Sequence, residues 1–344
     1  MSEPTLKHAL VIGDGSWGTT LALFLAGNGI PCTLWSAFPE HAAEMQQKRE
    51  NTRFLPGYRL PSGITITADP HRAADGADLV ISVVPTQYLR SVSQRFEDAL
   101  SGMVPIVSAT KGLEIETFKT PSQILLEVLG ERPICVLTGP SHAEEVVALK
   151  PAAVLAASAD RALAQRVQAA LSAPSFRVYT HGDPLGAELA GALKNVIAIA
   201  AGICDGLDLG DNAKAALLTR GMVEIARLGH ARGASWKTFF GLAGMGDLVT
   251  TCFSRHSRNR AVGEAIGRGE SLEKVLSGMR MVAEGVWTAK ALFGPEADLG
   301  EIQMPIAEQV HAVLFDGKNP REAVIDLMNR APTTEMDSLI GDFG

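Results

Sequence analysis

A lysine at position 194 lies in the otherwise almost entirely apolar helical stretch LGAELAGALKNVIAIAAGICDGL. Apolar surroundings lower the pKa of a lysine by desolvation, which suits its amine to proton transfer near neutral pH. A lysine in such a stretch can instead extend its ammonium group to the surface while its methylene stem stays buried. The residues alone leave these two interpretations, acid–base group and surface lysine, equally open.

Lys111 follows the apolar run PIVSAT, and Gly139 and Ser141 follow the run ICVLT. Open α/β sheets place their ligands at the carboxyl ends of parallel strands, so both positions are candidates for contact with a ligand. The other interpretation is a solvated lysine and an ordinary turn.

A third candidate is the segment GLAGMGDLVTTCFSRHSRNR at 241–260. Ser257 stands where the next helix begins, and serine is a favoured N-cap. A helix start offers free N–H groups and a partial positive charge to a phosphate, and the guanidinium of Arg258 binds phosphate oxygens in pairs. On this segment alone, a basic and solvated helix start is the favoured interpretation.

Gly13, Gly15 and Gly18 have the spacing G-x-G-x-x-G, after an apolar run and before a helical stretch. In that context the first glycine allows a tight turn, the second lets the backbone approach a pyrophosphate, and the third permits close packing of helix on strand. The helix beginning near Ser16 and Trp17 would then present its N–H groups to the phosphates. The context disfavours the alternative, an ordinary strand–turn–helix connection.

The second strand, CTLW, lacks the residue that usually contacts the cofactor's ribose. A dinucleotide-binding domain has an acid at this strand end for NAD, or a nearby arginine for the extra phosphate of NADP. Here Ser-Ala-Phe follow at 36–38, and the first acidic residue is Glu40. Arg49 and Arg53 are candidates for the arginine or are solvated, so the choice between NAD and NADP stays open. Asp14, between the glycines, is expected to point away from the phosphates.

The spacing of apolar residues predicts a Rossmann-type α/β domain with a mostly parallel sheet. Eight apolar runs alternate with helical or turn segments, as buried parallel strands do: HALVIG, PCTLWS, ITITAD, ADLVISVVP, PIVSATKG, ICVLTGP, VLAAS and FRVYTH. The polar stretch at 39–51 is predicted to be helical throughout. From about Leu185 every segment has helical periodicity, so an all-α domain follows. We expect a dinucleotide-binding domain at 1–183 and a helical substrate-binding domain at 184–344.

Several stretches together resemble one family, the bacterial-type NAD(P)-dependent glycerol-3-phosphate dehydrogenases. They are GDGSWGTTLA (13–22), NTRFLPG (51–57), SATKGLE (108–114), GPSHAEEV (139–146), KNVIAIAAGICDGL (194–207) and GLAGMGDLVTTCFSRHSRNR (241–260). They occur in the family's order and spacing, and the likeness extends from about Leu10 to NPREA at 319–323.

The resemblance implies a role for each matching residue. Lys194 is the general acid–base group at the substrate hydroxyl, and Lys111 acts at the substrate and beside the nicotinamide. The other implied substrate contacts are Gly139, Ser141, Asp247, Ser257, Arg258 and Asn259. The implied cofactor contacts are Gly13, Gly15, Ser16, Trp17, Gly18, Lys111, Ala143, Arg258, Val282 and Glu284. His142 stands where family members often have Phe, and we expect no catalytic role for it.

The implied reaction interconverts sn-glycerol 3-phosphate and dihydroxyacetone phosphate with NAD or NADP, and NADPH is slightly favoured by the resemblance. It would supply glycerol 3-phosphate for phospholipid synthesis. A rival enzyme is a β-hydroxyacid dehydrogenase of the 6-phosphogluconate or hydroxyisobutyrate type, but TKGLE and SRHSRNR argue against it. A rival of another class is a dinucleotide-sensing module, which needs the glycines but not Lys194, Lys111 and Arg258.

Composition argues against several other classes of function. The 344 residues carry a net charge of -7 and a pI near 5.7, which disfavours a nucleic-acid partner. Four well-separated cysteines with no C-x-x-C pair predict neither disulfides nor a metal site. No uninterrupted apolar run has membrane-spanning length and no signal-peptide pattern is present, so we expect a cytoplasmic protein. Its expected partner is a small phosphorylated triol or ketone, and a homodimer stays open.

Overall fold

A computed structural model describes residues 6–100, 102–279, 281–332 and 334–335. They divide into two compact units. The first contains the described residues up to Thr110 together with those from Pro121 to Pro184. The second contains Lys111–Thr120 together with the described residues from Leu185 onward. The segment with Lys111 therefore belongs to the helical unit, although the division expected from the sequence placed it in the first domain.

The first unit is built on one large sheet. Its strands, in chain order, are β1 Ala9–Ile12, β2 Cys32–Trp35, β3 Glu50–Asn51, β4 Leu55–Arg59, β5 Ile64–Thr67, β6 Leu79–Ser82, β7 Ile106–Ser108, β8 Ile134–Thr138, β9 Ala152–Ala157 and β10 Phe176–His181. Eight of them form a sheet in the order β10-β9-β8-β7-β6-β1-β2-β5, in which only the β8–β9 pair is antiparallel among the described strands. The predicted Rossmann-type, mostly parallel sheet is confirmed.

The strand register brings several loops to one edge of this sheet. Ile12 of β1 pairs with Trp35 of β2 and with Ser82 of β6, and Ser82 pairs with Ser108 of β7. The glycine loop after Ile12 and the residues after Trp35 therefore begin at the same level. Ligands of such sheets bind at this carboxyl edge.

Helices cover both faces of the sheet. They are α1 Ser16–Gly27, α2 Pro39–Lys48, α3 Pro70–Ala74, α4 Thr86–Gln94, α5 Pro121–Leu129, α6 Ala143–Val147 and α7 Arg161–Leu171. Alternate residues of β1 contribute to two different cores, Val11 to one and Leu10 and Ile12 to the other. Since successive strand side chains point to opposite faces, burial on both faces requires the continuous apolar runs seen in the sequence.

The predicted helix at 39–51 extends three residues too far. α2 ends at Lys48, because Arg49 adopts a left-handed conformation (φ 53°) and Glu50–Asn51 pairs with β4 in an antiparallel hairpin. The Arg49 side chain also donates to the backbone carbonyls of Leu60 (3.1 Å) and Ile64 (2.9 Å). The spacing of apolar residues does not reveal this hairpin, since a two-residue strand is set by its partner.

The second unit is helical. Its elements are α8 Pro184–Gly206, α9 Gly210–Ala231, α10 Trp236–Phe239, a π-helical turn Leu242–Gly246, α11 Asp247–Phe253, α12 Arg258–Gly267, α13 Leu272–Ser277, α14 Glu284–Leu292, α15 Pro305–Phe315 and α16 Pro320–Met328. No strand occurs among its described residues, which confirms the predicted all-α architecture. α8 is long and apolar enough to cross a membrane, but its apolar window is wholly buried, as in a core helix.

α8 and α12 meet backbone to backbone. A side-chain carbon at Gly202 would lie 2.0 Å from the carbonyl oxygen of Arg260, and one at Gly263 would lie 1.9 Å from that of Ile199. Only glycine fits at such an approach. The contact fixes α12 against α8, the helix that carries Lys194.

Candidate active site

Lys111, Lys194 and Asp247 form one charged cluster in the second unit. Lys194 Nζ lies 2.7 Å from Asp247 Oδ1, and Lys111 Nζ lies 2.6 Å from Asp247 Oδ2. Lys194 and Asp247 are 5% and 2% exposed, whereas the side chain of Lys111 keeps 19% exposure. One buried carboxylate therefore binds two ammonium groups, one on each oxygen. Three residues that the sequence predicts for catalysis or substrate binding are in direct contact.

The electrostatics of this cluster suit Lys194 to proton transfer. Burial lowers the pKa of Lys194 to about 8, although the charge of Asp247 opposes the shift, and the charge of Lys111 adds to it. Burial alone would raise the pKa of Asp247, but the charges of Lys111 and Lys194 outweigh it and lower that pKa. Asp247 is therefore ionised near neutral pH, while Lys194 can gain or lose a proton close to it.

Thr251 completes the surroundings of Lys194. Its Oγ1 lies 2.5 Å from Lys194 Nζ and donates its own hydrogen to the carbonyl oxygen of Asp247 at 2.6 Å. Because that hydrogen is used, Oγ1 accepts from the ammonium group. An ammonium has three N–H groups, and Asp247 and Thr251 take two of them. Among the described residues the third has no partner, so it is the one that can reach a substrate oxygen.

A π-helical turn positions Asp247. Leu242–Gly246 runs directly into α11, whose first residue is Asp247. A side-chain carbon at Gly244 would lie 1.9 Å from the carbonyl oxygen of Phe239, so this turn requires glycine. π-Helical turns are frequent at functional sites, where they displace one side chain from regular helical spacing.

Two asparagines connect the lysine cluster to the start of α12. Asn195, the neighbour of Lys194, accepts a hydrogen bond at Oδ1 from Asn259 Nδ2 at 2.9 Å. Asn259 Oδ1 in turn accepts from the backbone N–H of Gly285 at 2.9 Å. A side-chain carbon at Gly285 would lie 2.5 Å from the carbonyl oxygen of Asn195. Asn259 thus joins α8, α12 and α14.

The start of α12 collects the remaining candidates of the second unit. Ser257 is its N-cap, as predicted, and its Oγ accepts from the backbone N–H of Arg260 at 3.2 Å. The exposed Arg258 donates from Nη1 to the carbonyl oxygen of Val282 at 2.8 Å. Glu284 begins α14, two residues further on. A buried N-cap serine and an exposed guanidinium therefore lie at one helix start, an arrangement suited to a phosphate.

The glycine loop of the first unit has the conformation that a dinucleotide requires. Gly13 has φ +113°, and a side-chain carbon at Gly18 would lie 2.0 Å from the Gly13 carbonyl oxygen. A side-chain carbon at Gly15 would meet nothing within 4 Å, so the backbone there is open to approach. α1 begins at Ser16 and Trp17 with no side-chain cap and no acid in its first turn. The residues present fit a pyrophosphate on this helix start.

Gly139, Ser141 and Ala143 follow β8 in the same unit. Gly139 has φ +128°, and a side-chain carbon on it would lie 3.1 Å from Val154 Cα. Ser141 Oγ donates to the carbonyl oxygen of Gly139 at 2.9 Å. Ala143 begins α6, which packs against α1. This turn lies at the carboxyl end of its strand, as predicted.

Cys252, which precedes the candidate Ser257–Asn259 by a few residues, is not a reactive thiol. Burial raises the pKa of Cys252 to about 12, so its thiol stays protonated and acts as a small packed side chain. Within the described ranges no group of three or more His, Cys, Asp or Glu side chains is placed to hold a metal ion.

Comparison with known proteins identifies the family. The N-terminal model of NAD-dependent glycerol-3-phosphate dehydrogenase matches residues 8–164, and the C-terminal model matches residues 183–325. The chain belongs to this family. The resemblance inferred from the sequence motifs is therefore confirmed.

Relatives match over nearly their whole length. A glycerol-3-phosphate dehydrogenase [NAD(P)+] of Geobacter metallireducens is 50% identical over 94% of this chain and 98% of its own. That of Geobacillus thermodenitrificans is 49% identical over 98% and 99%. The crystal structure of glycerol-3-phosphate dehydrogenase from Coxiella burnetii superposes with a TM-score of 0.90 at 37% identity, covering 95% of this chain and 99% of that one.

Sequence reasoning missed three polar residues that hold the family's motif residues in place. Thr251 accepts a hydrogen bond from Lys194, and Asn195, the next residue after Lys194, accepts one from Asn259. Asn51 donates a hydrogen bond to the glycine loop of the first unit. Thr251 stands four positions after Asp247 on one helix, so its i+4 spacing was a usable signal. Asn51 stands in the motif NTRFLPG, but no spacing rule relates it to a loop 37 positions earlier.

Proposed function

We propose that this chain is an NAD(P)-dependent oxidoreductase that interconverts sn-glycerol 3-phosphate and dihydroxyacetone phosphate. The observation that carries the proposal is the Lys111–Asp247–Lys194 cluster, in which one N–H of Lys194 is left for a substrate. The hydrogen bond between Asn195 and Asn259 connects this cluster to the start of α12. Family membership and the conformation of the glycine loop support the cofactor.

Lys194 is the acid–base group of this reaction. In reduction it donates a proton to the oxygen that forms at C2 of the substrate, and in oxidation it accepts the proton of the C2 hydroxyl. Asp247 and Thr251 hold its Nζ in place, so the spare N–H keeps one direction. Lys111, bound to the other oxygen of Asp247, stabilises negative charge on the substrate oxygen. When bound, the nicotinamide supplies or accepts the hydride.

The start of α12 binds the phosphate of the substrate. Ser257 and Asn259 lie at that helix start, and Arg258 adds a charged donor pair. Gly139 and Ser141 make further substrate contacts. In the first unit we assign cofactor binding to Gly13, Gly15, Ser16, Trp17, Gly18 and Ala143. The family resemblance implies cofactor contacts for Lys111, Arg258, Val282 and Glu284 as well.

The pH dependence of the two directions should be opposite. Reduction needs protonated Lys194, so its kcat should be steady at lower pH and fall as pH rises through about 8. Oxidation needs the neutral amine, so its kcat should fall as pH drops through about 8. Initial rates in both directions across pH 6–10 test this, and parallel profiles would contradict the role of Lys194.

Replacing Arg258 by glutamine should weaken phosphate binding. Loss of a charge-assisted donor pair raises KM for dihydroxyacetone phosphate by about 10–100-fold. At saturating nucleotide, KM for unphosphorylated dihydroxyacetone should change far less, because that compound carries no phosphate. Arg268, which is 65% exposed at the other end of α12, provides the matched control R268Q. Equal KM increases in both variants would contradict a specific phosphate contact.

The enzyme supplies glycerol 3-phosphate for phospholipid synthesis in the cytoplasm. Four buried cysteines without disulfides are consistent with a reducing compartment. Depletion of the protein in its host should lower the cellular glycerol 3-phosphate level and the rate of phospholipid labelling. Unchanged levels, in cells with no second source of glycerol 3-phosphate, would contradict this role.

A substrate panel tests the proposed reaction against its rivals. Oxidation of NADH or NADPH is measured with dihydroxyacetone phosphate, with unphosphorylated dihydroxyacetone and with the oxidised forms of β-hydroxyacids. We expect turnover with the first compound far above that with the others. A preference for the β-keto acids would favour the hypothesis of a β-hydroxyacid dehydrogenase. Nucleotide binding without any turnover would favour the hypothesis of a dinucleotide-sensing module.

A further inference from the structure

Asp14, the residue between the first two glycines, turns its side chain toward the end of β2. The backbone N–H of Gly13 donates to the carbonyl oxygen of Trp35 at 3.1 Å, so the loop lies directly beside this strand end. Ser36, the next residue after β2, donates from Oγ to Asp14 Oδ2 at 2.6 Å. The side chain of Asp14 is 8% exposed. The carboxylate of Asp14 therefore lies at the end of β2, where residues 36–38 include no acid.

The surrounding network fixes this carboxylate. Asn51 Nδ2 donates to the backbone carbonyl of Asp14 at 2.6 Å and to Thr19 Oγ1 at 2.8 Å. This orients the amide, so Asn51 Oδ1 is an acceptor and His41 Nε2, at 3.2 Å, donates to it. His41 Nε2 also lies 3.6 Å from Asp14 Oδ2. Asp14 is thus held on its backbone side and at one carboxylate oxygen.

The other carboxylate oxygen is uncommitted. Among the described residues, Oδ1 of Asp14 accepts no hydrogen bond, and no lysine or arginine forms an ion pair with this side chain. In dinucleotide-binding domains an acid at the end of the second strand accepts a hydrogen bond from the adenosine ribose 2′-hydroxyl. The position, burial and free oxygen of Asp14 match that requirement.

We propose that Asp14 supplies the missing ribose-binding acid and makes the chain select NAD(H) over NADP(H). Its Oδ1 accepts a hydrogen bond from the ribose 2′-hydroxyl, while Ser36 holds Oδ2. A 2′-phosphate would place further negative charge beside a buried carboxylate with which no described lysine or arginine forms an ion pair, and this disfavours NADP(H). The inference rests on the proposed function only in taking a nicotinamide dinucleotide as cofactor. It departs from the slight preference for NADPH that the family resemblance implies.

Two arginines, Arg49 and Arg53, are the alternative determinants of the choice between NAD(H) and NADP(H) at this edge of the sheet. Arg49 is committed to the backbone carbonyls of Leu60 and Ile64, so it does not reach a ligand from this conformation. Arg53 lies over the rings of Phe38 and Phe54, with its guanidinium carbon 5.4 and 4.9 Å from their centroids. Its exposed guanidinium therefore lies beside Phe38, two residues after Ser36, and Arg53 is the competing cation near this strand end.

The test is the ratio of NADH to NADPH affinity, measured by nucleotide fluorescence with no substrate present. We expect the wild-type chain to bind NADH at least about tenfold more tightly than NADPH. Asp14→Asn keeps the side-chain volume and an acceptor oxygen but removes the charge, and it should bring this ratio close to one. Glu40→Gln is the matched control, because Glu40 is the acid nearest to the strand end in sequence and is exposed. It should leave the ratio within about twofold of the wild type.

A second measurement compares the cofactor with an analogue that lacks the 2′-hydroxyl. Wild-type affinity for NAD+ should exceed that for its 2′-deoxyadenosine analogue by about tenfold, and in Asp14→Asn the difference should shrink. A wild-type preference for NADPH, an unchanged ratio in Asp14→Asn, or a change in Glu40→Gln instead would overturn the inference. Loss of NADPH binding in Arg53→Gln, with no effect of Asp14→Asn, would assign the selection to Arg53. If neither nucleotide binds, the proposed function fails as well, whereas NADPH-selective turnover of dihydroxyacetone phosphate would refute this inference alone.

Discussion

Lys194→Ala is expected to lower kcat for dihydroxyacetone phosphate reduction by about 10³-fold or more, because it removes the general acid and leaves its pocket empty. The substitution also leaves Asp247 with Lys111 as its remaining cation. Nucleotide affinity should change by no more than about twofold, since the cofactor contacts assigned to the glycine loop are untouched. Initial rates and fluorescence titration with NADH measure the two effects separately.

Lys214 provides a matched control for this variant. Like Lys194, it is a buried lysine of the second unit, and its Nζ binds both carboxylate oxygens of Asp205 at 2.8 Å. Lys214→Ala should lower thermal stability yet keep kcat within a few-fold of the wild type. Substantial turnover in Lys194→Ala, or an equal loss in Lys214→Ala, would show that the acid–base role of Lys194 is wrong.

Asp247→Asn is expected to change both the pH profile and the stability. The charge of Asp247 raises the pKa of Lys194, so its removal should lower that pKa and move the fall in reduction rate to a pH below about 8. Two ammonium groups also lose their shared carboxylate in a buried site. Breaking a buried ion pair in this way costs about 3–5 kcal/mol of folding free energy. Thermal unfolding and pH–rate profiles measure the two effects.

Asp205 is the matched carboxylate for that experiment. It also bridges two cations of the second unit, accepting from Lys214 and from Arg260 Nε at 2.6 Å. Asp205→Asn should therefore lose stability while the pH profile of reduction stays where it is in the wild type. A pH profile that moves in both variants, or in neither, would contradict the electrostatic coupling between Asp247 and Lys194.

The fold was largely predictable because the order of apolar and polar residues along the sequence indicates which side chains are buried. Leu10, Val11 and Ile12 are all buried, on alternating faces, and a strand covered on both sides requires such a run. The end of α2 was not predictable in the same way. Arg49 turns the chain into a two-residue strand whose partner is β4, and pairing of that kind leaves no periodic signal.

The sequence indicates the candidate site residues one by one but not their arrangement. Lys111 and Asp247 are separated by 136 positions, and no local pattern indicates that one carboxylate binds both lysines. Asp14 shows the same limit. Its position in the glycine motif suggested only that it points away from phosphates, whereas the hydrogen bond from Ser36 places it at the end of a different strand.

Transfer of isotope from cofactor to substrate tests the central claim most directly. The purified chain is given dihydroxyacetone phosphate with NADH or NADPH that carries deuterium at nicotinamide C4 in the transferable position, and the product is analysed by mass spectrometry and NMR. We predict one deuterium at C2 of sn-glycerol 3-phosphate for each nucleotide oxidised. Nucleotide that binds but transfers no deuterium, on either face and with either cofactor, would contradict the account.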